Sequence, residues 1–347
     1  MKIQISLIII LFIQSSIFAQ IPIGYYDNAE GETGENLKNA LYNIIKGHTE
    51  FPYTDDPETD VWDILKETDR DPENPNNVIE LYTGWSIEAS QEWNLGSGWS
   101  REHVWSKSRG DFGTSEGAGT DVHHLRPADP LTNSAKNNRW FDNSDEPYLS
   151  GGEYTGCFKN NENWTWQPRE NVKGDVARMI FYMATRYEGE NGEPDLEVIN
   201  YIPSDNSTSE PVYALLNTLL QWHLEDDVDE WEQNRNNIIY NYQGNRNPFI
   251  DHPEFVTLIW GDPINVPEIE QPTIKIFPNP TTTNITINTG ENSFTEVRVY
   301  TVQSELVDVV QANNQSITIN LDGYQSGIYI IKIIQNDKTQ IQKIIKR

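Results

Sequence analysis

The stretch from Ser100 to Phe141, SREHVWSKSRGDFGTSEGAGTDVHHLRPADPLTNSAKNNRWF, limits the possible folds more than any other part of the chain. Gly110, Gly113, Gly117 and Gly119 make the span between Trp105 and Asp121 a loop. The short segments on either side read as strands, the second of them over 122–125. Pro130 then opens a helix expected over 131–141, whose first turns carry Asn133, Lys136, Asn137 and Asn138. A strand–loop–strand–helix unit puts Glu102 and His103 on the first strand, opposite the helix start, with Asn133 facing them. Adjacent strand residues point to opposite faces, so Glu102 and His103 converge only if the strand end bends or twists.

The residue types point to metal-assisted phosphate chemistry. Glu102 offers a hard carboxylate oxygen and Asn133 a neutral carbonyl oxygen, a pair suited to Mg²⁺. With a single anionic ligand the ion keeps much of its charge for a phosphate. Taken singly these signals are weak. A glutamate–histidine pair is common, the Asn cluster alone would be a turn or helix cap, and His123 and His124 are expected to hold loop backbone or pack on the helix. Their joint order carries the reading.

That order resembles the endonuclease I family of secreted and periplasmic nonspecific nucleases, which carry a ββα-metal finger. Arg101, Glu102, His103, Val104 and Trp105 match the family's Arg-Glu-His-Val-Trp. Asp121, His123, His124, Leu125 and Pro127, with Asn133 downstream, match its Asp-x-His-His-Leu-x-Pro and following Asn. The resemblance implies that His103 is the general base and that Glu102 and Asn133 hold a divalent metal, Mg²⁺ or in its place Mn²⁺ or Ca²⁺. Asn133 is preferred to Asn137 and Asn138 because the ligand in related fingers stands six residues after the proline. The implied reaction is hydrolysis of phosphodiesters in DNA, and secondarily RNA, to 5′-phosphate ends. A bidentate arginine fork should also hold the phosphate; Arg109, Arg126 and Arg139 are the candidates, and the sequence does not choose among them. The rival reading is a zinc-dependent protease or phosphoesterase built on His103, His123 and His124, but the tight His-Glu-x-x-His spacing is absent.

Charge opposes this function. The net charge of −28 slows approach to a polyanion. From Ser100 to Trp140, however, six basic residues face five acidic ones, so the acid is concentrated elsewhere. We expect weak, metal-dependent substrate binding, suited to a saline medium that screens long-range repulsion. Eleven Trp and sixteen Tyr argue for a folded protein despite the charge. The single cysteine, Cys157, allows no internal disulfide and is expected to be a buried small hydrophobe.

Along the chain, residues 1–19 read as a secretory signal: Lys2, an apolar run through Ile13, then Ser15, Ser16 and Ala19. The run is too short to span a bilayer, and no other stretch is apolar enough. Leu37, Leu41, Ile44 and Ile45 predict a helix over 34–48; others are expected over 61–66, 172–186, 211–225 and 228–242, with a strand over 78–83. The acidic Pro/Asn stretch 69–77 reads as a solvated loop. The family resemblance covers roughly 37–260. Pro263, Pro267 and Pro272 form a stiff linker over 263–272. Beyond it the apolar period changes to two, giving six short strands and a small β-sandwich over 273–347. Ile276-Phe277-Pro278-Asn279-Pro280, Gly327-Ile328-Tyr329 and the basic Lys343, Lys346 and Arg347 make this tail resemble the carboxy-terminal sorting domain of type IX secretion cargo. A carbohydrate-binding sandwich is its rival. The expected whole is an α+β chain: a mostly helical nuclease domain at 20–262 around the ββα-metal finger, then an all-β sorting domain. It should be a monomer, exported across the outer membrane by the type IX machinery.

Overall fold

In the computed structural model the described residues are 21–55, 57–263, 275–288, 295–301, 306–312, 314, 316–335 and 338–347. The expected signal segment and the linker from 264 onward lie outside them. The chain divides into two compact units, Met1–Pro263 and Ile264–Arg347.

The first unit contains helices α1 (Gly34–Ile45), α2 (Val61–Thr68), α3 (Pro130–Lys136), α4 (Lys173–Arg186), α5 (Leu216–Glu225), α6 (Glu230–Gln243), α7 (Pro248–Asp251) and α8 (Glu254–Trp260). Between them run the short strands β1 (Asn77–Ile79), β2 (Ser86–Glu88), β3 (Ser100–His103), β4 (Leu125–Ala128), β5 (Trp140–Phe141), β6 (Glu146–Ser150), β7 (Glu153–Asn160), β8 (Thr165–Gln167), β9 (Glu197–Ile199) and β10 (Val212–Ala214). Every residue of α4 is buried, so this helix is the axis of the main core. Leu37, Leu41 and Ile45 of α1 belong to that core with Phe181, Trp222 and Phe249, as their helical spacing requires. A second cluster joins α2 and α6 to the site: Trp62, Ile64, Leu65 and Ile239 pack with Trp99, Val122 and Leu125.

The strand–loop–strand–helix unit forms as a two-stranded antiparallel sheet, β3 against β4, followed by α3. Two of its boundaries differ from expectation. Of the stretch 122–125, residues 122–124 are not strand. The Asp121 carboxylate accepts from the His123 backbone N–H at 3.0 Å, and that local turn delays the strand to Leu125–Ala128. The helix over 131–141 ends at Lys136, because Asn137 takes a left-handed φ of 50° and the chain then leaves as β5. The Asp129 side chain caps α3, accepting from Thr132 N at 2.8 Å, and Pro130 occupies its first turn, where a missing N–H costs nothing. The helix expected over 211–225 begins only at Leu216, since Val212–Ala214 first pairs in parallel with β9.

Among the described residues the second unit has seven strands: β11 (Lys275–Phe277), β12 (Asn284–Asn288), β13 (Thr295–Thr301), β14 (Leu306–Ala312), β15 (Ser316–Asn320), β16 (Gly327–Gln335) and β17 (Lys338–Lys346). They form two antiparallel sheets, ordered β11-β12-β15 and β14-β13-β16-β17. Ile285, Ile287, Ile317 and Ile319 of the first meet Val297, Val299, Ile331, Ile333 and Ile344 of the second in one apolar core, the layering of a sandwich. Among the described residues no helix is long and apolar enough to cross a membrane.

Candidate active site

The end of β3 and the start of α3 border a cleft of about 310 Å³ that brings Glu102, His103 and Asn133 together with Tyr53, Arg101 and Lys107. His103 is the last residue of β3, and at this strand end it and Glu102 line the same cleft.

Each of the three side chains spends one polar atom on the protein. His103 Nε2 lies 2.9 Å from the Gly119 carbonyl oxygen, which can only accept, so the proton sits on Nε2. Nδ1 is therefore the unprotonated nitrogen. It has no partner among the described residues and is not sealed from solvent. Burial, reinforced by the nearby His124, holds the imidazole well below its ordinary pKa, hence neutral at pH 7. Tyr53 stacks on it with ring centroids 5.6 Å apart.

On Glu102, Oε1 accepts from the Tyr82 hydroxyl at 2.8 Å and faces the Lys136 ammonium at 3.0 Å. Oε2 has no such partner and reaches solvent. Burial raises this carboxyl, and Lys136 opposes the rise. Lys136 is itself fully buried, and also donates to Val104 O at 3.1 Å and Ser106 Oγ at 2.9 Å. On Asn133, Nδ2 donates to Ser100 Oγ at 3.0 Å and Arg101 O at 3.3 Å. The Arg101 carbonyl can only accept, so the amide orientation is fixed and Oδ1 is left over. One carboxylate oxygen and one amide oxygen thus remain unused beside a neutral imidazole. This hard-oxygen pair fits Mg²⁺, Mn²⁺ or Ca²⁺ by donor chemistry.

The loop that orients His103 is anchored by Asp121. Its Oδ2 accepts from the hydroxyls of Tyr182 at 2.8 Å and Tyr187 at 3.0 Å, and its Oδ1 from Gln243 Nε2 at 3.0 Å. Burial alone would raise the Asp121 carboxyl, but the imidazoles of His48, His123 and His124 and the Gln243 amide hold it well below the usual range. Gly119 is required for the tight loop, since a Cβ there would stand 2.5 Å from Ser115 O. Asp121→Asn, which removes the charge and turns an amide donor toward donors, is expected to cost about 3 kcal/mol, read as a lower urea midpoint.

The three candidate arginines are not brought to the cleft. Arg126 is buried in ion pairs with Asp69 at 2.6 Å and Asp175 at 3.4 Å. Arg109 is fully buried, its guanidinium 3.1 Å from the Trp140 ring centre and donating to Asn138 O. Arg139 donates to Asn160 O at 2.9 Å and Asn161 Oδ1 at 2.7 Å. These structural roles correct the expectation that one of them holds the phosphate. His123 and His124 are also structural. His124 Nε2 lies 2.8 Å from Ala118 O, and His123 packs on Tyr182 with ring centroids 4.4 Å apart. Among the described residues, His103, His123 and His124 do not gather into a three-ligand group, which removes the basis of the zinc reading. The sequence reading gave no role to Tyr53, Tyr82, Arg101, Lys107 or Lys136. Only Lys136 left a signal, three residues after Asn133 and so on the same side of a helix.

An extracellular ribonuclease from Bacillus subtilis (strain 168) is 52% identical over 239 residues, 68% of this chain and 78% of that protein. One from Bacillus amyloliquefaciens has the same identity and coverage. An Endonuclease-1 from Buchnera aphidicola is 26% identical over 136 residues, 38% of this chain and 46% of that one. Residues 275–347 match the secretion system C-terminal sorting domain, so this is a secreted or cell-surface protein exported through type IX secretion. With residues 33–254 matching the endonuclease I profile, the chain belongs to the endonuclease I family.

Proposed function

We propose that the protein is a divalent-metal-dependent endonuclease that hydrolyses RNA and DNA to 5′-phosphate ends, with His103 as general base and Glu102 and Asn133 as the metal ligands. The observation that carries this reading is that all three side chains leave one unused atom, Nδ1, Oε2 and Oδ1, on a single cleft. The name of its Bacillus relatives, extracellular ribonuclease, supports RNA as a substrate, and DNA follows from the family resemblance set out above.

His103 Nδ1 takes a proton from a water whose oxygen bonds to phosphorus, the bond from phosphorus to the 3′ oxygen breaks, that oxygen takes a proton from a solvent water to leave as the 3′-hydroxyl, and the imidazolium returns its proton to solvent. The Nε2–Gly119 bond keeps the ring in the tautomer that leaves Nδ1 free, and Tyr53 fixes its plane. Lys136 and Tyr82 orient the Glu102 carboxylate by holding Oε1, and Ser100 orients the Asn133 amide. The ion, when bound by Glu102 and Asn133, supplies charge stabilisation to the phosphate.

The test uses the mature protein with a 5′-labelled RNA and a plasmid, with Mg²⁺ or with chelator. Cleavage should require the ion and give 5′-phosphate ends; 2′,3′-cyclic phosphate ends or chelator-resistant cleavage would overturn the mechanism. Glu102→Gln and Asn133→Ala should each weaken Mn²⁺ binding by at least about 10-fold in titration calorimetry, while the circular dichroism spectrum is retained. Unchanged Mn²⁺ affinity in both variants would remove them as ligands.

A further inference from the structure

Three asparagines of α3 and the turn that ends it line the cleft, and they differ in the amide atom each leaves over. Asn133 uses Nδ2 on Ser100 and Arg101 and leaves Oδ1, an acceptor suited to a cation. Asn138 uses both ends: Oδ1 accepts from Trp164 Nε1 at 2.8 Å, and Nδ2 donates to Asn206 O at 3.1 Å. Asn137 is the inverse of Asn133. Its Oδ1 accepts from the Asn138 backbone N–H at 2.7 Å, which fixes the amide orientation. Its Nδ2 has no partner among the described residues, and the side chain is exposed on the cleft that holds His103 and Glu102.

The backbone makes the choice of residue informative. Arg139 N donates to Lys136 O at 3.0 Å and closes a turn whose first central residue is Asn137, at φ 50° and ψ −130°. That is the first centre of a type II′ turn, where glycine is the default because it has no Cβ to clash. Three successive carbonyls hold the turn from beneath: Asn137 O accepts from Ser106 Oγ at 3.1 Å, Asn138 O from Arg109 Nε at 3.1 Å and Arg139 O from the Tyr213 hydroxyl at 2.6 Å. The surroundings therefore impose the conformation, and the one bond the amide makes, to its own neighbour, aims Nδ2 instead of closing the turn. We propose that Asn137 is a substrate-binding residue whose Nδ2 donates to an acceptor oxygen of the nucleic-acid backbone in the cleft. The donor is neutral, so it selects an oxygen by direction and not by charge. A non-bridging phosphate oxygen and the ribose 2′-oxygen both offer this chemistry, and RNA and DNA of one sequence tell them apart. This inference rests on the nuclease reading and adds a residue that holds the strand.

The test uses the full mature protein with Mg²⁺ and single-stranded RNA and DNA of the same sequence. Asn137→Gly keeps the turn and removes the amide. Its KM for RNA should rise about 10-fold, the size of one lost hydrogen bond to a polar oxygen, with a smaller effect on kcat. Its urea midpoint should hold or rise, because glycine takes this backbone conformation without strain. An equal rise in KM on DNA assigns the contact to a phosphate oxygen, and a rise confined to RNA assigns it to the 2′-oxygen. Asn191→Gly, at another left-handed residue (φ 56°) that does not line the cleft, should leave KM unchanged on both. If Asn137→Gly keeps its KM on both substrates, or raises it only together with a lowered urea midpoint, the contact is refuted and the nuclease reading stands. A wild type that cleaves neither RNA nor DNA refutes the nuclease reading and the contact with it.

Discussion

Replacing His103 by alanine is expected to lower kcat on RNA and on plasmid by about 10³-fold, the loss typical of removing a positioned general base. The expectation rests on two features of the ring. It is neutral because burial disfavours the imidazolium, and its proton is fixed on Nε2 by the Gly119 carbonyl, so the lone pair of Nδ1 is on offer without rearrangement. KM should change little, because Glu102 and Asn133 remain. The decisive comparison is kcat for wild type and His103→Ala under saturating Mg²⁺, with near-ultraviolet dichroism showing that Tyr53 and its neighbours keep their packing. A fall of less than about 10-fold would mean that another group takes the proton, and the role assigned to Nδ1 would be wrong.

How far this site could be read from the sequence depended on the range of the interactions involved. The amphipathic helices were legible because Leu37, Leu41 and Ile45, or Val176, Ile180 and Met183, repeat at a spacing that the finished helices bury. The association of Glu102, His103 and Asn133 was legible because a short strand pair and a short helix bring nearby sequence together. The fate of the arginines was not. Arg126 is neutralised by Asp69, 57 residues earlier, and Arg109 is covered by Trp140, so their removal from the surface is a tertiary event with no local mark. Asp121 likewise looked like a strand neighbour, while its partners come from far along the chain, Tyr182 in α4, Tyr187 just past its end and Gln243 in α6. In the second unit β14 escaped notice for a different reason. Leu306, Val307 and Val309 put exposed apolar side chains on it, erasing the polar half of the alternation that marks a half-buried strand.

Acid should unfold the first unit unusually steeply. Burial lowers His123 to about 3 and His124 to about 4, and it lowers His223 to about 4 with help from the Arg178 guanidinium. The hydrogen bonds agree: Arg178 donates to His223 Nδ1 at 3.3 Å, and His124 Nε2 gives its proton to Ala118 O. An unfolded histidine titrates near 6.5. Because the folded values lie below the unfolded one, the unfolded chain binds the extra protons. Stability is therefore fully present above about pH 6.5 and falls as the pH drops toward 4. Taken alone, three such groups contribute a slope of about 4 kcal/mol per pH unit in that window, which the buried carboxyls of Glu80, raised to about 7, and Glu232, also raised, offset in part because the folded chain binds their protons. Asp121 acts in the same direction but later, since a carboxyl held below its unfolded value of about 3.9 loses its contribution only beneath that pH. Urea unfolding followed by tryptophan fluorescence at pH 7, 6 and 5 measures the slope. His124→Gln, whose amide can still donate to Ala118 O, should flatten it by about one proton. A slope that His124→Gln leaves unchanged would mean that this imidazole accepts its proton in the folded protein, and that the dry surroundings it shares with His103 do not keep an imidazole neutral.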